Sequence, residues 1–422
     1  MSISCGIDFG TTNTAAAIAH KSSNPQSVTL EDNNITIPSA LFFDDNNHVY
    51  FGRQAMQLYI NGQEGRCMRS LKRILGSDLM SSGTYVNNRL QSFNQILGCF
   101  LRNIKSKIDA SAQTNIENVV LGRPVHFQIN NEKADKKAED ELRKVAESIG
   151  FKNIEFQYEP IAAAFAHEAK VLNEKIALVI DIGGGTSDFT ILRIGQNLIK
   201  KNNRKDDILA STGTRIGGND FDKDLSVKCF MPTFGYQTLQ GKQSPFDKII
   251  ILPTDPYMKM AEWSSINSMY CYKELNDAKK MLYNAMEKEK VSRFVELIEK
   301  ERGYLLLNMV EKSKIDLTDV KSLNLTLDFI SDKPQICVDK ANFENAINDN
   351  VSRIFKQIAD CLNLAQITAQ DVELVILTGG STQVPLIQTL IAKHFPHALL
   401  SQENKFSSVS IGLAYDSMRK FK

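Results

Sequence analysis

Two stretches of the chain show the same order of apolar and polar positions, in which a short apolar run ends at an acidic residue and a glycine-rich turn. The first reads C-G-I-D-F-G-T-T-N-T from Cys5, and the second reads I-A-L-V-I-D-I-G-G-G-T-S-D from Ile176. Both apolar runs predict buried strands. The residues after the second turn, D-F-T-I-L-R-I, alternate and are rich in β-branched side chains, which predicts another strand. The alanine-rich residues after the first turn, N-T-A-A-A-I-A-H, are ambiguous alone, and we interpret them as a strand by analogy.

Each glycine turn is therefore expected to join two antiparallel strands and to form the tip of a hairpin. The chain contains no G-x-x-x-x-G-K-[ST] string of a P-loop, and neither turn supplies the G-x-G-x-x-G that opens a helix in a Rossmann fold. Because glycine permits positive φ and close approach, backbone N–H groups at such a tip can surround a phosphate. A tight turn without a ligand is the alternative for one copy, whereas two matching copies favour a clamped nucleotide. The candidate phosphate-binding residues are Gly10, Thr11, Thr12, Asn13, Gly183, Gly184, Gly185 and Thr186.

Asp8 and Asp181 end the two apolar runs, so both carboxylates are expected to face the gap between the tips. Carboxylates in this place would repel phosphate unless a cation lay between them. A magnesium ion that is held largely through its waters meets this requirement. Asp8 and Asp181 are therefore the candidate metal ligands.

Composition bounds the class of protein. The chain has 422 residues, of which 42% are hydrophobic and 23% charged, and its formal net charge is +1. This length exceeds one typical core, so two lobes are expected, and the balanced charge argues against nucleic acid as a partner. The seven cysteines show no C-x-x-C or Cys/His spacing, which argues against a disulfide framework or a cysteine-based metal site. With no signal peptide and no apolar run of about 18 residues, we predict a cytoplasmic protein without a membrane partner.

Further strings in the chain resemble a known family. The turns D-F-G-T-T and D-I-G-G-G-T are similar to those of the actin, sugar-kinase and heat-shock ATPase superfamily. The strings L-K-R-I-L-G, Y-E-P-I-A-A-A, G-G-N-D-F-D and G-G-S-T-Q-V-P occur in the order found in 70-kDa heat-shock (DnaK-type) chaperones. The string L-P-T-D-P-Y-M-K-M-A-E-W is similar to that of divergent, YegD-type members. The chain thus resembles the nucleotide-binding domain of a DnaK-type chaperone.

The resemblance implies an α/β, actin-like ATPase fold with two similar lobes, each built on a duplicated, ribonuclease-H-like mixed sheet and each carrying an inserted subdomain. Lobe I is expected at about residues 1–175, with an insertion at about 38–114 and a C-terminal helix, about 406–422, that returns to it. Lobe II is expected at about 176–405, with an insertion at about 231–318. The chain ends without the apolar linker and β-sandwich of full-length DnaK-type chaperones, so the usual peptide-binding domain is not expected.

The second insertion contains apolar residues at helical spacing. We interpret this stripe as the core of a helical lid, and a partner-binding face is the alternative. Its residues are Val291, Phe294, Val295, Ile298, Leu305 and Met309.

The resemblance also implies catalytic roles. Lys72 matches a lysine that reaches toward the transferred phosphate, although a lysine in a basic stretch is otherwise more often a solvated surface residue. Glu159 precedes Pro160 at a predicted helix start, where an acid favours the helix, and it matches a glutamate that orients the attacking water. Asp181 and Asp188 lie in the same region, and any of the three acids is a candidate proton acceptor. The candidate catalytic residues are Lys72, Glu159, Asp181, Asp188 and Thr186.

A third turn follows the apolar run L-V-I-L-T, which predicts a strand, and precedes a helix predicted from about Pro385. Its two glycines allow a base and a ribose to lie against the backbone. The family usually stacks adenine between two arginines, but the matching positions are Ile315 and Gln383, so cation–π stacking of about 1 kcal/mol per arginine is lost. The resemblance implies that Glu311, Lys314 and Thr318 match family positions that bind ribose and adenine. The other candidate nucleoside-binding residues are Gly217, Gly218, Gly379, Gly380, Ser381 and Gln383.

These patterns and the resemblance together predict a chaperone-like ATPase that hydrolyses ATP slowly in a cleft between two lobes and passes a conformational signal to a protein partner. The expected cofactors are ATP or ADP with Mg²⁺, and K⁺ is a second candidate cation. A sugar-type small-molecule kinase is one alternative, because sugar kinases share the hairpins. A nucleotide-gated filament or scaffold and a nucleotide-binding pseudo-ATPase are the others.

Overall fold

The computed structural model describes residues 3–20, 23–86, 89–127, 131–168, 171, 173–198, 201, 204–241, 249–401 and 407–421. These residues form two compact units. Unit 1 comprises Met1–Arg215, Ile354–Thr382 and Ile387–Lys422, and unit 2 comprises Ile216–Arg353 and Gln383–Leu386. The predicted boundary at about 405 lies outside the described residues.

All strands but one hairpin of unit 2 lie in unit 1 among the described residues. In chain order the strands are β1 Ser4–Phe9, β2 Asn13–Ala19, β3 Gln26–Ser27, β4 Thr36–Pro38, β5 Ala40–Asp44, β6 Val49–Phe51, β7 Gly65–Arg69, β8 Gly83–Val86, β9 Arg89–Ser92, β10 Asn118–Arg123, β11 Asn153–Tyr158, β12 Lys175–Ile182, β13 Ser187–Ile194, β14 Ile208–Thr214, β15 Ser322–Thr326, β16 Gln335–Asp339, β17 Leu374–Thr378 and β18 Leu399–Ser401.

Helices connect the strands of unit 1 and form most of unit 2. In chain order they are α1 Gly52–Ile60, α2 Phe93–Ala112, α3 Glu132–Ser148, α4 Glu159–Glu168, α5 Gly218–Leu225, α6 Asp255–Met260, α7 Tyr272–Asn284, α8 Lys288–Glu299, α9 Gly303–Asp316, α10 Lys340–Leu364, α11 Pro385–His394 and α12 Ser408–Lys420. Within the described ranges, no helix combines the length and the apolarity that crossing a bilayer requires.

Two mixed sheets of unit 1 repeat one arrangement. In the first, with strand order β11-β10-β1-β2-β3, the β1–β2 hairpin is antiparallel and β10 lies parallel to β1. In the second, with order β14-β13-β12-β17-β18, the β12–β13 hairpin is antiparallel and β17 lies parallel to β12. Both predicted hairpins and the predicted α/β class are therefore confirmed. The repeat also brings the start of a third turn, after β17, next to the second hairpin.

The alanine-rich strand β2 owes its composition to helix α12. Residues Ala15–Ala19 are buried, and Ala17 and Ala19 pack against Ala414 of α12. A Cβ atom on Gly6 of β1 would lie 2.4 Å from the backbone nitrogen of Ala414. Small residues are needed here because the helix backbone lies directly on the sheet. The strand is ambiguous in the sequence because its small residues are required by contact with α12, which lies far away along the chain.

Unit 2 is largely helical, and its core contains most of the predicted apolar stripe. Val291, Phe294, Val295 and Ile298 of α8 are buried. On α9, Leu306, Leu307 and Val310 are buried, whereas the predicted positions Leu305 and Met309 are only half-buried. The interpretation as core is confirmed for α8. On α9 the buried positions are shifted by one residue from the predicted ones, because α9 is a separate helix that begins at Gly303.

Candidate functional site

The tips of the two hairpins lie in contact. A Cβ atom on Gly184 would be 2.1 Å from Cγ2 of Thr12, and one on Gly185 would be 4.0 Å from Cγ2 of Thr11. Any side chain at position 184 would therefore displace the first tip, which explains glycine at this position. The backbone N–H of Gly183 donates to the carbonyl of Thr186 at 3.0 Å and closes the second turn.

Ser39, which lies between β4 and β5, fixes the first tip. Its hydroxyl donates to the carbonyl of Gly10 at 2.8 Å, and its backbone N–H donates to the carbonyl of Thr12 at 2.8 Å. Asn13 begins β2, is exposed, and directs its amide toward the hydroxyl of Thr12 at 3.5 Å. Ser39 was not predicted, because it is a single serine that precedes an apolar strand and carries no motif.

The third turn lies beside the second tip, because β17 is parallel to β12 and pairs with it in the sheet. Gly379 has φ +81°, and a Cβ atom there would lie 2.4 Å from the carbonyl of Ile182 and 2.6 Å from Oδ1 of Asp181. The hydroxyl of Ser381 donates to the carbonyl of Gly183 at 3.1 Å, from the short 3₁₀ turn that begins at Gly380. The structure thus brings Gly379, Gly380 and Ser381 to the predicted phosphate-binding loop.

Lys72 and Glu159 form an ion pair. The ammonium group lies 2.6 Å from the carboxylate, and the side chains are only 10% and 13% exposed. Lys72 belongs to a 3₁₀ segment, Leu71–Ile74, and Glu159 is the first residue of α4, directly after β11. Lys72 is therefore not a solvated surface lysine. Glu159 not only begins α4 but also binds the ammonium group of Lys72. The pairing itself was not predicted, since 87 residues separate the partners.

Three aspartates join this pair, and the cluster shifts their pKa values. Burial and, next, the charge of Glu159 raise the pKa of Asp8 to about 7 and that of Asp188 to about 7. Burial and the neighbouring Asp188 raise the pKa of Asp181 well above its usual range. Burial alone would lower the pKa of Lys72, but Glu159 and Asp8 raise it above the ordinary value. Four acidic groups therefore surround one ammonium group, which strongly disfavours full ionisation of the cluster.

The carboxyl group of Asp188 has two close neighbours. The hydroxyl of Thr186 forms a hydrogen bond with its carboxyl group and lowers its pKa, against the larger effect of burial. Gly213 of β14 pairs with Asp188 across the sheet, and a Cβ atom there would lie 2.8 Å from Oδ1 of Asp188. Thr186, Asp188 and Asp181 thus lie together at the tip of the β12–β13 hairpin, where Asp181 pairs with Asp188.

The acidic groups suit a magnesium ion. Carboxylate oxygens are the protein ligands that Mg²⁺ prefers, and a divalent cation would relieve the repulsion within the cluster. Within the part of the chain that the structure describes, no group of three or more His, Cys, Asp or Glu side chains is arranged to hold a metal ion by itself. Asp8 and Asp181 would hold such an ion, and Mg²⁺ commonly takes its other ligands from water and phosphate.

In unit 2, several predicted nucleoside-binding residues meet at the start of α5. The ammonium group of Lys314 lies 2.8 Å from the buried carboxylate of Asp222 and 3.3 Å from the carbonyl of Gly218. The N–H of Gly217 donates to Asp220 at 2.8 Å and begins the helix. Asp222 was missed as a partner for Lys314, although it ends the string G-G-N-D-F-D.

The remaining predicted residues of unit 2 lie on α9, just after it, or in a separate segment. Glu311 lies one turn before Lys314 on α9, and the hydroxyl of Thr318 donates to the carbonyl of Ile315 at 2.7 Å. Ile315 itself is 56% exposed. Gln383 begins the short second segment of unit 2. Their roles in binding a nucleoside stay predictions.

Comparison with known proteins defines the family. The profile of the Hsp70 protein family matches residues 4–244 and 278–417, which include both hairpins, the Lys72 segment and the third turn. The chain belongs to the Hsp70 family. Its two mixed sheets with their paired hairpins are consistent with the two-lobed, actin-like ATPase fold of Hsp70 proteins.

Several curated Hsp70 relatives are similar over almost the whole chain. A chaperone protein DnaK of Thermotoga petrophila is 24% identical over 421 residues, which cover 97% of this chain and 58% of the relative. One of Thermosipho melanesiensis is 25% identical over 422 residues, again covering 97% and 58%. A chaperone protein dnaK1 of Prochlorococcus marinus is 24% identical over 439 residues, covering 97% and 55%. The chain thus spans a little more than half the length of these Hsp70 proteins.

Proposed function

We propose that this chain binds ATP with Mg²⁺ at the two hairpin tips and hydrolyses it slowly to ADP and phosphate. The observation that carries the proposal is the contact between tips that are far apart in sequence, beside the Lys72–Glu159 pair and three aspartates. Membership of the Hsp70 family, whose members are ATP-binding chaperone-type ATPases, supports the same reaction.

The tips supply the groups that hold a triphosphate. The backbone N–H groups of residues 10–13 and 184–186, together with the hydroxyls of Thr11 and Thr12, are donors without negative charge. Such donors bind phosphate oxygens in a fixed arrangement that needs no reorganisation during the reaction. Asp8 and Asp181 would hold the Mg²⁺ ion, which neutralises phosphate charge beside the acidic cluster when it is bound.

The acidic cluster supplies proton chemistry for attack by water. In the proposed reaction the water oxygen bonds to the γ-phosphorus, the bond from that phosphorus to the β–γ bridging oxygen breaks, and a carboxylate accepts the water proton. Asp188, with a pKa of about 7, is suited to accept and return a proton near neutral pH. Glu159, held at 2.6 Å from Lys72, orients the water, and the ammonium group stabilises charge that develops on the phosphoryl oxygens.

The output of this reaction is a conformational signal. In this proposal the two predicted lobes, about 1–175 and 176–405, close on ATP and relax on ADP, and a protein partner reads the change. K⁺ is a second candidate cation beside the phosphates. We place the chain in the cytoplasm, because its cysteines are free thiols and two of them, Cys5 and Cys361, are buried.

The test is calorimetric titration of ATP, ADP and GTP with and without Mg²⁺, followed by a phosphate-release assay. We expect Mg²⁺-dependent binding of ATP and ADP and slow release of phosphate. Binding without phosphate release would identify a pseudo-ATPase. Transfer of phosphate to an added sugar or polyol would identify a small-molecule kinase, and ATP-dependent sedimentation would identify a filament. No nucleotide binding at all would contradict the proposal.

A further inference from the structure

Arg73, the residue after Lys72, places its guanidinium group at the two hairpin tips. The Cβ position of Gly185 on the second tip is 3.8 Å from Nη1 and 4.0 Å from Cζ of Arg73. The same position is 4.0 Å from Cγ2 of Thr11 on the first tip. Arg73 therefore lies where the second tip approaches the first. Lys72, by contrast, points to Glu159.

The 3₁₀ segment Leu71–Ile74 that carries Arg73 is firmly anchored. Leu71 is buried, and Ser70 enters the segment with φ +58°. At its far end, the N–H of Gly76 donates to the carboxylate of Glu141 at 2.7 Å. A Cβ atom on Gly76 would lie 2.4 Å from the carbonyl of Ala134, so the chain packs tightly against α3. The backbone of Arg73 is thus fixed at both ends, while its side chain is exposed.

The guanidinium group of Arg73 is available for a ligand. Among the residues that the structure describes, its side chain forms no hydrogen bond or ion pair, whereas Lys72 beside it is paired. The nearby cluster of Asp8, Asp181, Glu159 and Asp188 is acidic and would repel a phosphate group. The guanidinium group of Arg73, as a second cation beside the hairpin tips, would offset this repulsion between the carboxylates and a bound phosphate.

We infer that Arg73 binds the terminal phosphate of the triphosphate held at the hairpin tips and thereby distinguishes ATP from ADP. This inference rests on the proposed function, and it assigns Arg73 to the terminal phosphate of the proposed ATP ligand. A guanidinium group presents paired N–H donors that match two phosphate oxygens, which an ammonium group cannot do. Arg73 directly follows Lys72, which lies with Glu159 at the end where hydrolysis is proposed. ADP has no phosphate group at that end.

The experiment compares the affinities of the full chain for Mg²⁺ with a non-hydrolysable ATP analogue and for Mg²⁺ with ADP, by calorimetric titration. We expect Arg73→Ala to weaken binding of the ATP analogue at least about tenfold and binding of ADP less than about twofold, as loss of a charge-assisted hydrogen bond predicts. Arg73→Lys retains the charge without the paired donors and should lie between the two. Arg89→Ala, which removes an exposed arginine of β9, is the matched control and should change neither affinity.

The outcomes separate this inference from the proposed function. A wild-type chain that binds neither nucleotide contradicts the proposed function. A wild-type chain that binds both, with an unchanged ratio of affinities in Arg73→Ala, overturns the role of Arg73 alone. An equal loss of both affinities in Arg73→Ala, at an unchanged melting temperature, also overturns it, because the side chain would then contact a phosphate that ADP shares.

Discussion

At the scale of single residues, the site is defined by an ion pair inside an acidic cluster. Lys72 and Glu159 are 10% and 13% exposed, so each depends on the other for compensation of its charge. Asp8 and Asp181 lie close enough to Lys72 to raise its pKa as well. The ammonium group of Lys72 therefore compensates the charge of several carboxylates. Its removal should affect both the proposed ATP hydrolysis and the stability of the fold.

We predict that Lys72→Ala retains ATP binding and lowers single-turnover hydrolysis at least about tenfold, because the charge that stabilises the transition state is lost. The melting temperature should also fall, since Glu159 is left beside Asp8 without a cation. Lys152→Ala removes a surface ion pair with Glu117 and is the control. A hydrolysis rate that Lys72→Ala leaves unchanged would remove Lys72 from the mechanism.

A second residue-scale prediction concerns Asp224 of α5, which accepts a hydrogen bond from Asn350 at 2.7 Å. Burial, with a smaller contribution from the charge of Asp220, raises the pKa of Asp224 to about 6, although the hydrogen bond from Asn350 lowers it. The folded-state pKa lies above the unfolded one, so this group's contribution is fully present below about pH 4 and is lost as the pH rises to about 6. We predict that Asp224→Asn, which keeps an acceptor for Asn350, stabilises the protein at pH 7 by about 1 kcal/mol, allowing for solvent screening.

The measurement is thermal unfolding of wild type and Asp224→Asn between pH 4 and 8. The difference in melting temperature should vanish at the acidic end. Asp319→Asn, at an exposed position after α9, should follow wild type throughout. A difference that is constant with pH would show that Asp224 does not titrate in this range.

At the residue scale, the residues of the site could be predicted from the sequence, but the contacts between their side chains could not. The motifs supplied Lys72, Glu159, Asp8, Asp181 and Asp188, and the structure brings all five together. The partner of Lys72 and the position of Arg73 depend on side-chain direction in a short 3₁₀ segment, which no apolar period encodes. The string L-K-R-I-L-G contained both cations, but nothing in it separates the inward lysine from the outward arginine.

At the scale of secondary-structure elements, close backbone contacts hold the site together. Helix α12 packs on α4 so tightly that a Cβ atom on Gly412 would lie 1.8 Å from the carbonyl of Ala162. Because α4 begins at Glu159, this contact also fixes the helix that carries a proposed catalytic group. The packing of α12 therefore supports the geometry of the site.

We predict that Gly412→Ala destabilises the protein by about 3 kcal/mol, because the added methyl group meets backbone that cannot move aside. Chemical denaturation measures the change. Gly98→Ala in α2 is the matched control, since its nearest neighbours would lie 3.9 Å away and alanine favours a helix, and it should be neutral or stabilising. Equal stabilities of the two variants would show that α12 does not pack on α4 as described.

The elements that could be predicted are those whose apolar pattern is local. Strands β1, β12, β13 and β17 follow their apolar runs, and α11 begins at Pro385 as expected. The β15–β16 hairpin was not predicted, although S-L-N-L-T alternates with the period of a strand. Strand β2 needed analogy because its alanines reflect contact with α12, a helix about 400 residues further along the chain.

At the scale of the whole molecule, the two predicted lobes and their boundaries stay predictions. The duplication that suggested them is confirmed as two sheets of matching topology in unit 1. The chain spans a little over half of its curated Hsp70 relatives, so its partner and its output are proposals. For the proposed function, the fold must bring two hairpins that are far apart in sequence to one triphosphate.

The most direct test is a crystal structure of the chain with Mg²⁺ and a non-hydrolysable ATP analogue. We expect one triphosphate to contact both residues 10–12 and residues 183–186, with a metal ion between it and the carboxylates of Asp8 and Asp181. A triphosphate bound to one tip only, or bound elsewhere on the chain, would contradict the proposed ATP site.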